Sequence, residues 1–217
     1  MKKPKLKIKK GIVGIEAAIV MIAFVVVAAA LAFVVLNMGF YTTQRSKEVM
    51  SQGLAQASSA LEIDGTVLAK VDLTTKNLSC VIIPVRLSAG QKDVDLTPGK
   101  ADIAVWIIDK GGKTNTYNAS SQAINNQTDF DIDSLCNATS TNNRNGVAVI
   151  WREPDNNDKV LQAGEKILVV IDFTTLFGYG LKSYDVFKVE IKPPIGSALT
   201  VERTVPASLT YQYIDLG

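Results

Sequence analysis

From Ala17 to Leu36 the chain runs through twenty consecutive apolar residues, AAIVMIAFVVVAAALAFVVL. As a helix rising 1.5 Å per residue this stretch is about 30 Å long, the thickness of the hydrocarbon core of a bilayer. It is long enough to cross a membrane. Ahead of it stands MKKPKLKIKKG, whose six lysines make up more than a quarter of the 23 basic side chains. Lysines on the N-terminal flank of an apolar helix stay cytoplasmic, so everything after Asn37 is expected outside the cell. A secretory signal would leave small residues in an A-x-A pattern beyond the run, and Asn37-Met38-Gly39-Phe40 matches that poorly.

The remainder of the chain is not basic. Without residues 1–11 it carries 17 Lys and Arg against 21 Asp and Glu, and no basic patch that would suit nucleic acid. There is no histidine. Ser-His-Asp and Cys-His nucleophile pairs, imidazole zinc sites and His general bases are therefore unavailable. Two cysteines, Cys80 and Cys136, are too few for a thiolate metal site and too far apart for a CxxC redox pair. Outside the cell they suit one disulfide, which would tie the Asn-rich region from Asn115 to Asn145 to the strand that starts at Cys80 and close a loop worth about 4 kcal/mol in the chain-entropy model. Two separate thiols are the alternative.

Beyond Leu36 the apolar positions thin but continue at Phe40, Met50, Leu54, Ala57 and Leu61, a 4-3-4-3 spacing with gaps at Thr43 and Lys47. This predicts one helix from Ile12 to about Glu62, near 75 Å long, ended by the turn signal Asp64-Gly65. Its many alanines suit close helix packing. From Val67 onward short β-branched runs take over: 80–87, 103–108, 147–151, 167–173, 184–191 and 198–205, separated by Gly, Pro, Asn and Asp. That texture predicts six to nine strands in an antiparallel sandwich.

Four sequons begin at Asn77, Asn118, Asn126 and Asn137. On an exterior domain they predict glycans, unless they are polar loop sequences that go unused. The alternation of Asp129, Asp131 and Asp133 would turn three carboxylates to one face of a strand, either a solvated edge or oxygen ligands for a hard cation. Asp155-Asn156-Asn157-Asp158 reads as an Asx-rich turn or, in the same way, as oxygen ligands. Gly111-Gly112-Lys113-Thr114 comes after a strand but lacks the first glycine of a phosphate loop, which leaves a hairpin turn. Neither metal nor cofactor is expected.

Lys9-Lys10-Gly11, followed by Ile12-Val13-Gly14-Ile15-Glu16 and the apolar run, resembles the class III signal peptide of type IV pilin-like proteins. The resemblance implies cleavage by a prepilin-type signal peptidase between Gly11 and Ile12, which removes the leader with Lys10 and keeps the helix. Residues 9 to 62 are most similar to archaeal flagellins (archaellins), and Leu161-Gln162-Ala163-Gly164-Glu165 before KILVVID resembles a turn and strand late in their domain. Glu16 departs from many archaellins, which are neutral there, and follows pilin habit. A carboxylate beside a hydrocarbon segment is costly unless paired, and the α-amine of a neighbouring subunit would pair it; solvation at headgroup depth is the alternative.

The fold expected is α+β: a leader over 1–11, a hydrophobic then amphipathic helix over 12–62, and an extracellular antiparallel β-sandwich of Ig-like type over 67–217. What the resemblance implies is a structural subunit of a rotated extracellular filament, the archaellum, and no enzyme. It passes through a membrane-inserted precursor and polymerises with copies of itself through Glu16, Ala17, Phe24, Leu31, Phe33, Leu36 and Phe40. Burying several hundred Å² of that surface per contact, at ~25 cal/mol per Å², supplies many kcal/mol. An adhesion pilin and a single-pass anchored binding protein are the alternatives.

Overall fold

The computed structural model describes residues 12–57, 60–114, 116–117, 131–140, 145–152, 156 and 158–217. The chain divides into two compact units between Gln52 and Gly53. The first is built on one element, α1 (Ile12–Ala57), a 46-residue helix. It stops short of the Glu62 that apolar spacing alone predicts. Leu61-Glu62-Ile63 instead forms β1, which pairs antiparallel with the later strand at Leu61↔Leu87, Glu62↔Arg86 and Ile63↔Val85. Burial of Leu61 in the β core outweighs one more helical turn, which in water would leave that side chain exposed. Asp64-Gly65 consequently ends a strand rather than the helix, with Gly65 at φ +118°.

The second unit continues with β2 (Leu68–Asp72), β3 (Asn77–Leu87), β4 (Val94–Asp95), β5 (Asp102–Ile107), β6 (Gly111–Lys113), α2 (Ile132–Ser140) and β7 (Val147–Arg152). It closes with β8 (Val160–Leu161), β9 (Lys166–Asp172), α3 (Phe173–Phe177), β10 (Val186–Lys192), β11 (Leu199–Thr204) and β12 (Tyr213–Asp215). The described residues thus hold twelve strands, not six to nine. The six additional strands have five residues or fewer, too short to carry a period of their own.

Two antiparallel sheets form the sandwich. One has the order β12-β2-β3-β9-β7, with β1 continuing the β2 edge of β3; the other runs β11-β10-β5-β6. A small ribbon pairs β4 with β8. Gly111-Gly112-Lys113 is the return strand of the β5–β6 hairpin, which turns through Asp109 at φ +69°. Side chains from both sheets meet in one core, including Val81, Val149, Trp151, Val169, Val105, Phe187 and Val201. Phe173 and Phe187 meet edge to face in it at 5.5 Å.

The two sheets differ in how their outer faces are covered. In β10 buried Phe187, Val189 and Ile191 alternate with more accessible Lys188, Glu190 and Lys192, so one face meets water. In β9 every residue from Ile167 to Asp172 is buried. Ile167, Val169 and Ile171 enter the main core, whereas Leu168 and Val170 join Cys80, Ile82 and Ile150 in a second core on the opposite face. Leu135 and Cys136 of α2 close that second core. The unbroken apolar runs of β3, β7 and β9 therefore have a lid.

Candidate assembly interface

Charge is absent from α1 between Glu16 and Arg45, a stretch of 28 residues and about 42 Å. A helix that is apolar all round has no face for water and has to be enclosed. Among the described residues nothing encloses it. Every residue of α1 from Gly14 to Leu54 is exposed, Phe24 to 75% and Phe33 to 66%, whereas the β unit buries most of its aliphatic residues in a core of its own. The polar groups toward the C-terminal end of the helix are quenched locally. The Thr42 hydroxyl donates to the Met38 carbonyl at 2.9 Å, the Thr43 hydroxyl donates to Gly39 O at 2.8 Å, and Arg45 pairs with Glu48 at 2.7 Å. Such back-bonded hydroxyls tolerate an apolar setting.

Ala17, Phe24, Leu31, Phe33, Leu36 and Phe40 all lie on this exposed helix. Glu16 is exposed one turn from its start and has no ion-pair partner among the described residues. Ile12 is the first residue of α1, while Lys10 and Gly11 lie outside the described residues. Gly14, Gly39 and Gly53 have nothing within 4 Å of where a Cβ would stand. Gly14 and Gly39, 25 residues apart, fall within about 20° of one another around the helix. Glycine costs helix stability relative to alanine, and the chain's own packing does not require it at these positions.

The β unit carries the remaining sites. Cys80 of β3 and Cys136 are disulfide-bonded, with their Cα atoms 6.1 Å apart. Cys136 stands on α2, however, and not in a loop. The Asp alternation around it is not a strand: Asp131 precedes α2 and accepts from the N–H groups of Asp133 and Ser134 at 3.3 and 3.1 Å, as a helix-capping residue does. The Ser134 hydroxyl and N–H, both donating to Asp131, hold its carboxyl below the ordinary range. Asp133 pairs with Lys70 at 2.8 Å, and Asp129 lies outside the described residues. The helix was legible in Ile132, Leu135, Cys136 and Thr139, spaced i, i+3, i+4, i+7 behind an Asp cap. The competing period-2 pattern of the aspartates obscured it.

Asn77 is half-buried at the start of β3 and Asn137 is exposed on α2; Asn118 and Asn126 lie outside the described residues. Asn156 and Asp158 bond to each other at 2.8 Å in a turn, and Asp155 and Asn157 are not described. Among the described residues no three His, Cys, Asp or Glu side chains gather as metal ligands would.

An archaeal-type flagellin family model matches residues 11–203. The chain belongs to the archaeal-type flagellin family. A probable flagellin 1 of Aeropyrum pernix is 44% identical over 213 residues, covering 96% of this chain and 98% of the relative. A probable flagellin 1 of Archaeoglobus fulgidus is 32% identical, covering 94% of each. The subunit in the solved archaeal flagellum of Methanospirillum hungatei superposes with a TM-score of 0.65 at 27% identity, over 93% of this chain and 98% of that one. As a member of this family the chain is a structural subunit of an extracellular flagellar filament built from copies of itself and used for motility. The exposed helix is the surface such a polymer has to bury.

Proposed function

We propose that the chain is made as a membrane-inserted precursor, that a prepilin-type signal peptidase removes residues 1–11, and that the freed subunit polymerises through α1. The observation that carries this reading is the 28-residue uncharged helix, exposed on every side and longer than a bilayer core. Lipid encloses it first; neighbouring helices enclose it afterwards, with water as the competing solvent. Once Ile12 is the first residue, its α-ammonium is the partner that Glu16 of a neighbour needs, and pairing neutralises a charge that would otherwise oppose burial. The β-sandwich then forms the outer sheath, carries the sugars, and is held by the Cys80–Cys136 bond. The filament does no chemistry itself; a motor at its base, driven by ATP hydrolysed elsewhere, turns it.

N-terminal sequencing and intact mass of material sheared from the native cells test this. A start at Ile12, with the helix retained, is expected. A start at Met1, with no filament protein recovered by shearing, overturns it.

A further inference from the structure

Beside the disulfide the β unit has a depression of about 520 Å³, the size of a small-ligand cleft. Asn137 shares its wall with Asp72, Leu73, Thr74 and Gln212 of β2, its hairpin turn and the approach to β12. These groups are complementary to a pyranose ring. Leu73, 52% exposed, offers an apolar surface for the ring face; the Asp72 carboxylate, which already accepts from the Thr74 N–H and the Thr75 hydroxyl, keeps further lone pairs for sugar hydroxyls, and the Gln212 amide, which donates to the Tyr213 hydroxyl, keeps its oxygen. The two described sequons differ sharply. Asn137 is exposed, whereas Asn77 is half-buried and packs so closely against Gly180 that a Cβ there would come within 2.9 Å of the Asn77 Cβ.

We infer that Asn137 carries an N-linked glycan and that its first sugar is seated in this depression, over the Cys80–Cys136 bond. The inference rests on the proposed reading of the β unit as an exterior glycoprotein domain and goes further by naming the site and the seat. In the attachment step Asn137 Nδ2 displaces the phosphate of a lipid-linked sugar donor. The N–C1 bond forms, the C1–O bond breaks with its electron pair leaving on the phosphate, and one amide proton is lost. Thr139 is fully buried in the folded domain, where its hydroxyl donates to Cys136 O at 2.6 Å, so transfer to this sequon precedes the docking of α2. The seated sugar then covers the mouth of the depression and the exposed Leu73 of the hairpin turn, above the buried disulfide.

Glycopeptide mass spectrometry of native filaments provides the first test. Sugar on the disulfide-linked peptide holding Asn137 is expected. Sugar at other sequons with Asn137 bare overturns the inference and leaves the glycoprotein reading standing, and no sugar anywhere overturns both. Hydrogen exchange of wild-type and Asn137→Gln filaments tests the seat. The Leu73–Lys76 and Gln212 peptides are expected to exchange several-fold faster in the variant, with the β10 peptide unchanged. Equal rates at the turn overturn the seat even where Asn137 is glycosylated.

Discussion

At Gly146 the backbone φ is +80°, and an added Cβ would come within 2.8 Å of both Asp172 O and Leu176 N. Both obstacles are backbone atoms fixed by the start of α3, where Asp172 also donates its N–H to Gly146 O at 2.7 Å. Gly146→Ala should therefore destabilise the β unit by on the order of 2 kcal/mol. Gly90, at φ +77° with nothing within 4 Å, carries only the conformational cost, about 1 kcal/mol. Denaturant midpoints of the full-length variants in detergent, followed by the fluorescence of buried Trp151, check the ranking; equal midpoints would contradict it. A second residue-scale prediction concerns pH. Asp64 accepts from Lys166 Nζ at 2.5 Å and lies 3.4 Å from Arg86. The Lys166 hydrogen bond, aided by the charges of Lys166 and Arg86 against an opposing burial effect, holds its carboxyl below the ordinary range. Because the folded value is lowered, this stabilisation is full above the unfolded value near 4 and is lost as pH falls through the folded one. The gap in stability between wild type and Asp64→Asn should be widest near neutrality and narrow by pH 2. A gap that does not change between those pH values would remove Asp64 from the account of acid sensitivity.

Among the elements, β9 and α2 explain each other. A strand apolar at every position is stable only when both its faces are covered, and α2 covers the second. Among the described residues α2 is held there by the apolar contacts of Ile132 and Leu135, the Lys70–Asp133 pair and the Cys80–Cys136 bond. The bond spans 56 residues, and its loss is worth up to about 4 kcal/mol in the chain-entropy model. In Cys80→Ser the amides of α2 should lose protection from hydrogen exchange by at least about tenfold, which is ~1.4 kcal/mol, and those of β10 by less. Undiminished protection in α2 would mean that the apolar contact alone secures it. The same pair of elements shows how much was legible. The continuous runs of β3, β7 and β9, set against the alternating run of β10, distinguish a sheet covered twice from a sheet covered once. What covers the second face was harder to read, because α2 has only nine residues and the alternating aspartates at its start mask the helical spacing of Ile132, Leu135, Cys136 and Thr139.

At the scale of the molecule, α1 and the β unit answer to different surroundings. The β unit closes its own core, whereas α1 is complete only in a bilayer or a polymer. Leu31→Lys puts a charge in mid-helix at a cost of roughly 3 kcal/mol in lipid, and at least as severe a penalty in a helix bundle without a counter-ion. The variant should leave the Trp151-reported unfolding of the β unit unchanged and yield no filaments by electron microscopy. Filaments at wild-type yield would show that α1 is not their core.

The apolar run and the lysines ahead of it were enough to predict an exported chain with an assembly helix, and the absence of histidine excludes His-dependent catalysis, since length, charge and residue type act there without long-range contacts. Six strands were equally plain, each long enough to show a period. The end of α1 at Ala57 was decided only in three dimensions, because Leu61 gains more by pairing with Leu87 than by another helical turn. The placement of Cys136 on a helix, and of Asn137 on the wall of a depression formed by β2 and its turn, was decided there too. These features depend on residues far apart in the chain, 26 positions for Leu61 and Leu87 and 56 for the two cysteines, and local sequence has no term for that.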